Sequence, residues 1–313
     1  MNRISVTPDD KSHWLKLRSA NINSTDMSCL FDLNPYQTKF ELWHKLKNPE
    51  DQLLIKQSER MDWGNALESA IATEAARRMS WNASPFKDYV TLEGLRIGSS
   101  FDFRIAPPLN ALLEVKNVDS LAYSKNWTEY DQSGDFTDGE MPAHIEIQVQ
   151  HQMLVSGLDL AFVCALVGGN TLKIFKREAN KELHTIMLKK SSEFWASVDS
   201  NNPPQIDYQR DAEFVIKLNS FAEPNKTMQA DEKLDDLVKQ YNATSQSIRN
   251  LESVKDSWKA QILEYIKDAE KVKGENYTIS AGITPEAQIS FTRKPFRNFK
   301  ITNKRTKQED NNV

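Results

Sequence analysis

The spacing of apolar positions changes along the chain, and the changes mark its elements. Over residues 11–48 the spacing is helical in broken segments. Trp14, Leu15 and Leu17 open an apolar face, and Asn23-Ser24-Thr25-Asp26 forms a cap-rich entrance to a short helix around 27–33. Asn34-Pro35-Tyr36 reads as a turn, after which Thr38 caps a helix through Phe40, Leu42, Trp43 and Leu46. Trp63, Ala66, Leu67, Ala70, Ile71 and Ala75 predict a further helix over 61–80. Strand-like runs follow at 89–92, 97–105 and 111–118, with Pro107-Pro108-Leu109-Asn110 turning the chain between the last two.

Residues 119–141, polar and aromatic, predict a loop with a short helix. A helix is expected over 143–157, with Gly157 as its C-cap. Runs at 162–167 and 172–177 bracket Gly168-Gly169-Asn170, a hairpin pattern. Residues 182–188 read as one more strand and 191–198 as the start of a helix. Asn201-Asn202-Pro203-Pro204 then breaks the pattern. Residues 229–270 predict a long charged helix or helical hairpin, and 277–301 have β character ahead of a basic tail. This order predicts an α/β (α+β) fold with a mixed central sheet flanked by helices, and a C-terminal helical appendage. The expected division is a core over 1–205 and an extension over 206–313.

Composition narrows the classes. With 313 residues, 39% apolar and 27% charged, the chain can bury a sizeable core. No run approaches 18 consecutive apolar residues, and the first residues lack the apolar stretch of a secretory leader. Cys29 and Cys164 both lie in apolar surroundings, which argues against a disulfide scaffold and against cysteine-ligated zinc or iron–sulfur clusters. A reducing cytoplasm is the expected address. The net charge of −4 excludes a uniformly positive coat for bulk nucleic-acid binding but leaves room for a local basic channel. There is no Walker A, G-x-G-x-x-G or H-E-x-x-H motif, so ATP-driven translocation is not encoded here.

The chemistry centres on Asp102 and on Glu114-Val115-Lys116. In a strand, Glu114 and Lys116 project to one side and Val115 to the other. Asp102, on the preceding strand, is brought alongside by the Pro-Pro turn. Clustered carboxylates suit Mg²⁺, a hard cation that prefers oxygen. A neighbouring lysine can orient or deprotonate water, or offset transition-state charge. The main-chain carbonyl of Val115 is a further candidate ligand. D-x(11)-E-x-K alone is equally the pattern of an exposed ion pair on a strand. Glu68 lies one turn after Gly64, whose missing side chain leaves space beside it. Gln148 sits among apolar neighbours on the 143–157 helix, as either a satisfied core amide or a group facing a site.

Taken together, these segments resemble the phage lambda exonuclease/YqaJ-like viral recombinase family of PD-(D/E)xK nucleases. Trp63-Gly64-Asn65-Ala66-Leu67-Glu68 is similar to the family's helix glutamate motif, Ser99-Ser100-Phe101-Asp102-Phe103 to its aspartate strand, and Leu113-Glu114-Val115-Lys116 to its E-x-K strand. The run from Gln148-Val149-Gln150 to Gly157 is similar to its Q-V-Q helix. Arg18, Ile22-Asn23-Ser24-Thr25-Asp26, Asn34-Pro35-Tyr36-Gln37-Thr38 and Leu42-Trp43 are similar to its N-terminal pattern. The similarity keeps the same order over residues 11–200. Phe101 stands where the family commonly has proline, and Thr25 where it more often has serine.

The resemblance implies a restriction-endonuclease-like core and Mg²⁺-dependent digestion of one strand of linear duplex DNA from its 5′ end. The 3′ single strand left behind would go to a single-strand annealing protein in phage-type recombination. It further implies a ring-shaped homotrimer, encoded by a phage or prophage and acting in the bacterial host. In residues, it implies Asp102, Glu114, the Val115 carbonyl and Glu68 at the metal, with Mn²⁺ as a possible substitute. Lys116 is then the catalytic lysine, Gln148 supports the site, and Arg18 with Thr25 binds the 5′-phosphate. Two alternatives stay open: another PD-(D/E)xK nuclease, restriction-like or RecB-type, and a non-catalytic DNA-end-binding scaffold. The basic tail, Arg293, Lys294, Arg297, Lys300, Lys304, Arg305 and Lys307 with Phe296 and Phe299, reads either as a DNA clamp or as a solvated terminus. Trp127 and Tyr130 read as core or interface aromatics, or as a wedge at a duplex end.

Overall fold

The computed structural model describes residues 1–49, 58–131 and 136–302. Local capping starts most of its helices. An edge strand, β1 (Arg3–Val6), leads into α1 (Lys11–Ser19), where the Asp10 carboxylate accepts the His13 amide at 2.8 Å. Asn23 and Asp26 form a reciprocal capping box for α2 (Ser24–Met27), which continues as a 3₁₀ turn over Ser28–Phe31. Thr38 and Glu41 do the same for α3 (Lys39–Lys47). Ser58 caps α4 (Glu59–Met79). There follow β2 (Ala83–Pro85), β3 (Tyr89–Leu92), β4 (Ile97–Ser99), β5 (Phe103–Ile105) and β6 (Ala111–Val118). Next come α5 (Ser120–Asn126), a ribbon of β7 (Thr128–Asp131) and β8 (Asp138–Glu140), and α6 (Ala143–Ser156). Gly157 ends α6 with φ 77°, the left-handed region that a glycine enters without penalty. The hairpin β9 (Leu160–Val167) and β10 (Thr171–Glu178) turns through Gly168-Gly169-Asn170. It is followed by α7 (Lys181–Asp199) and α8 (Ala212–Leu218).

The central sheet has the order β10-β9-β6-β5-β2. β6 and β9 pair in parallel and every other pair is antiparallel, so the sheet is mixed. A parallel pair needs a long crossover, and α5, the β7–β8 ribbon and α6 supply it. A second sheet, β1-β3-β4, is antiparallel throughout. The mixed central sheet with helices on its faces agrees with the expected fold class.

Strand alternation sorts β6 between two cores. Leu113 and Val115 join Ile71, Ala72 and Ala75 of α4 in one apolar cluster. Leu112 faces the other way, into a larger cluster with Val149, Met153, Trp195 and Phe175. Each large apolar side chain buried in these layers is worth about 1.5–3 kcal/mol, which holds β6 firmly between them.

Several expected elements differ. The 97–105 run is not one strand. β4 pairs with β3 in the small sheet and β5 with β6 in the central one, and the chain changes sheets across residues 100–102. One side-chain and one backbone bond fix that step: Trp14 Nε1 donates to Ser100 Oγ at 2.8 Å, and the Phe86 backbone amide donates to the Asp102 backbone carbonyl at 3.0 Å. Asp102 therefore precedes β5 rather than lying within a strand. Residues 182–188 are helical, not extended, and belong to α7 together with 191–198. His184, Met187, Ser191, Phe194, Trp195 and Val198 recur every three or four residues and are all buried, so the helical face wins over local strand preference. β1, β2 and the β7–β8 ribbon were not expected.

The chain forms two compact units, Met1–Val215 and Ile216–Val313. In the second, residues 229–270 hold a single helix, α9 (Glu232–Ile266), rather than a hairpin. The β character expected for 277–301 is confined to β12 (Thr278–Ser280), which pairs with β11 (Lys271–Lys273). Of the basic tail, Lys304, Arg305 and Lys307 lie outside the described residues. Among the described residues, no helix is long and apolar enough to cross a membrane.

Candidate active site

β6 presents Glu114 and Lys116 on the face opposite Val115, as alternation requires. Lys116 Nζ donates to Glu114 Oε1 at 2.5 Å. The pairing of Phe103 with Leu113 sets Asp102 beside this stretch, and the Asp102 carboxylate accepts the Val115 amide at 2.8 Å. Asp102, Glu114 and Lys116 thus meet at one place on the central sheet.

α6 supplies the support. Gln148 and Gln152 are four residues apart and share one face of the helix. Gln148 Nε2 donates to Glu114 Oε1 at 2.5 Å and Gln152 Nε2 to Glu114 Oε2 at 2.7 Å. Glu114 is buried, so its carboxylate oxygens are held by an ammonium and two amides in a site shielded from water. Gln148, expected as a supporting group, hydrogen-bonds Glu114. Gln152 was missed. Its position one turn after Gln148 was the available indication. Gln150 points elsewhere: its Oε1 accepts the Asn180 amide at 2.9 Å and meets His184 Nε2 at 3.1 Å.

The electrostatics are those of crowded negative charge. Burial first, and then the Glu114 carboxylate, push Asp102 well above the usual carboxylate range. Glu68 of α4 is also raised, by burial and then by Glu114. For Lys116, burial opposes the charged form, but Glu114, Asp102 and Glu68 outweigh it and hold the amine above its ordinary value. One ammonium thus faces three carboxylates, an imbalance that a hard cation with oxygen ligands would relieve. Among the described residues, no three His, Cys, Asp or Glu side chains have metal-holding geometry as they stand. Glu68 comes from the helix packed on the Val115 face and senses the pair electrostatically without completing such a group. Asp102 and Glu114 are the two carboxylates here whose oxygens could hold a cation. Gly64 has open space around it, with nothing within 4 Å of an added methyl.

Lys116 and Gln148 line a cleft of about 480 Å³ together with Thr25, Tyr36, Arg60 and His144. Thr25 is exposed, and the Arg18 guanidinium donates to its hydroxyl at 3.5 Å. α2 is fixed from below by buried Asp26, which pairs with Lys45 at 2.7 Å. Trp127 is buried and stacks on Tyr123 with ring centroids 5.3 Å apart, so it is a core residue, whereas Tyr130 is exposed.

Comparison with known proteins adds a domain match and relatives. Residues 13–159 match the model of the YqaJ-like viral recombinase domain. The chain is 28% identical over 265 residues to "Uncharacterized protein YqaJ" of Bacillus subtilis (strain 168), covering 83% of this chain and 79% of that protein. Among solved structures it is similar to an alkaline exonuclease (LHK-Exo) from Laribacter hongkongensis, with 13% identity and a TM-score of 0.49. That match covers 66% of this chain and all of the other. A phage-related exonuclease from Haemophilus somnus 129PT gives 10% identity and a TM-score of 0.40, covering 60% of this chain and 99% of the other.

Proposed function

We propose that this chain, whose residues 13–159 match the YqaJ-like viral recombinase domain, belongs to that family and is a Mg²⁺-dependent 5′-to-3′ exonuclease acting on linear double-stranded DNA. Its product is a 3′ single-stranded overhang for a single-strand annealing protein. The supporting observation is the meeting of Asp102, Glu114 and Lys116 on one sheet face beside an open cleft, with Glu114 clamped by Gln148 and Gln152.

In this reading Asp102, Glu114 and the Val115 carbonyl hold the cation, Mg²⁺ or Mn²⁺ in its place, and Glu68 assists at the metal or the water. Bound there, a cation would polarise the scissile phosphate and lower the pKa of water. The Lys116 amine orients the attacking water and offsets charge that builds on the phosphate. Gln148 and Gln152 keep both Glu114 oxygens in place, so the ligand does not reorganise during turnover. Arg18 and Thr25 receive the 5′-terminal phosphate. The enzyme works as a ring-shaped homotrimer in the cytoplasm of a bacterial host, with basic groups needed only where the channel meets DNA, which is compatible with a net charge of −4.

The test is digestion of end-labelled duplexes. Linear DNA with a 5′-phosphate is expected to be degraded in Mg²⁺, a 5′-hydroxyl end more slowly, and a closed circle not at all. Asp102→Asn is expected to abolish digestion while retaining end binding. Cleavage of the circle would point to an endonuclease, and wild-type protein inert in both Mg²⁺ and Mn²⁺ would sink the catalytic reading.

A further inference from the structure

α9 carries a sequence repeat that the described residues of its own unit leave exposed. Its apolar residues return every seven positions in two interleaved series. Leu234, Tyr241, Ile248 and Ile262 form the first, with Lys255 in the fourth place. Leu237, Leu251, Trp258 and Tyr265 form the second, with Thr244 in the second place. The steps alternate three and four, an average of 3.5, which is the seam of a left-handed coiled coil rather than the wider stripe of a helix laid on a globular core. No described side chain of α9 is buried, and the apolar members of the seam are 38% to 90% exposed. The Phe299 ring meets Tyr241 with centroids 5.5 Å apart and leaves Tyr241 half exposed. A helix of 35 residues is about 52 Å long, and an apolar seam of that length marks an interaction surface.

We propose that α9 pairs with α9 of a second copy of this chain as an antiparallel two-stranded coiled coil. The two polar positions in the seam choose both partner and direction. A parallel pair would set Lys255 against Lys255, two ammoniums side by side in the interface. An antiparallel pair centred between Arg249 and Asn250 sets Thr244 of each helix against Lys255 of the other. The same alignment sets Ile248 against Leu251, Tyr241 against Trp258, and Leu237 against Ile262, and closes with Leu234 against Tyr265. Every remaining layer is apolar, and both polar interruptions fall opposite each other. The flanking positions bring Val238 beside Lys259 and Ser245 beside Glu252, with no like-charged pair. A surface that complements itself about a two-fold axis in this way is isologous, the form that closes a dimer. This inference does not rest on the nuclease reading and is compatible with any assembly of the other unit.

The experiment measures the mass of the full chain by sedimentation velocity across a dilution series. Wild type is expected to lose half its mass on dilution, and a variant carrying both Ile248→Glu and Leu251→Glu to have the halved mass throughout. Both residues are exposed, so these carboxylates bury no charge in the single chain. Thr244→Glu tests direction: in the antiparallel pair it faces Lys255 twice per dimer and should tighten association on the order of fivefold. In a parallel pair it would bring two carboxylates together and weaken association. A mass unchanged by the double substitution overturns the dimer, and a Thr244→Glu variant that fails to tighten it overturns the antiparallel register.

Discussion

His151 gives a quantitative test of how α6 is held. It is fully buried, and one ring nitrogen, Nε2, lies 3.0 Å from the Gly98 carbonyl, joining the helix that carries Gln148 and Gln152 to β4, just ahead of Asp102. Burial pushes its pKa down from 6.5 to about 4. In the unfolded chain the ring takes up its proton at the ordinary value, so between these pH values the unfolded state binds more protons. The stability that His151 contributes is therefore complete above about pH 6.5, falls through the interval, and is gone below about pH 4. The depression corresponds to about 3 kcal/mol in full, and about 2 kcal/mol is already lost near pH 5. His184, His44 and His144 are also held below their ordinary value by burial and add slopes of the same sign. A difference between two proteins cancels them. The assay is urea unfolding of wild type and His151→Gln near neutral pH and near pH 5, with glutamine retaining a donor for the Gly98 carbonyl. Wild type is expected to lose about 2 kcal/mol more than the variant between the two conditions. Equal losses would mean that His151 is not buried in its neutral form, and the account of α6 would fail.

Two further outcomes follow from the same packing. Gln152→Ala removes one of the two amides clamping buried Glu114; loss of such a charge-assisted hydrogen bond is worth about 1.5–3 kcal/mol, so steady-state kinetics should show kcat lowered roughly ten- to a hundredfold with little change in KM. An effect on KM alone would assign Gln152 to DNA binding instead. Gly98→Ala would push a methyl into the Tyr89 ring, whose nearest ring carbon lies 2.7 Å away; Tyr89 is buried and hydrogen-bonds Asn23 at 2.8 Å, so it cannot swing aside. Thermal unfolding should report a loss of about 1–3 kcal/mol, and an unchanged midpoint would refute the tight fit.

Features set by neighbours in the chain were legible in the sequence. Thr38 and Gly157 marked helix ends because capping is settled within four residues, whereas the helix expected over 27–33 instead runs over Ser24–Met27 and continues as a 3₁₀ turn. Gly168-Gly169-Asn170 marked its hairpin for the same reason. Period-two alternation placed Glu114 and Lys116 on one face before any tertiary contact was known, and the order of motifs pointed to Asp102 and Gln148 as their companions. Local pattern misled at 182–188, where β-branched and apolar residues suggested a strand while the longer stripe from His184 to Val198 demanded a helix.

Tertiary structure decided what depends on pairing between distant segments. The separation of β4 from β5 into different sheets, the parallel match of β6 with β9, and the approach of Gln152 to Glu114 all join residues far apart in the chain. No local period encodes such contacts. They arise because burying both faces of the central sheet leaves few ways to lay α4 and α6 across it. The exposed seam of α9 belongs to both levels: its seven-residue period is written in the chain, but only the structure shows that the described residues of its own unit leave it exposed.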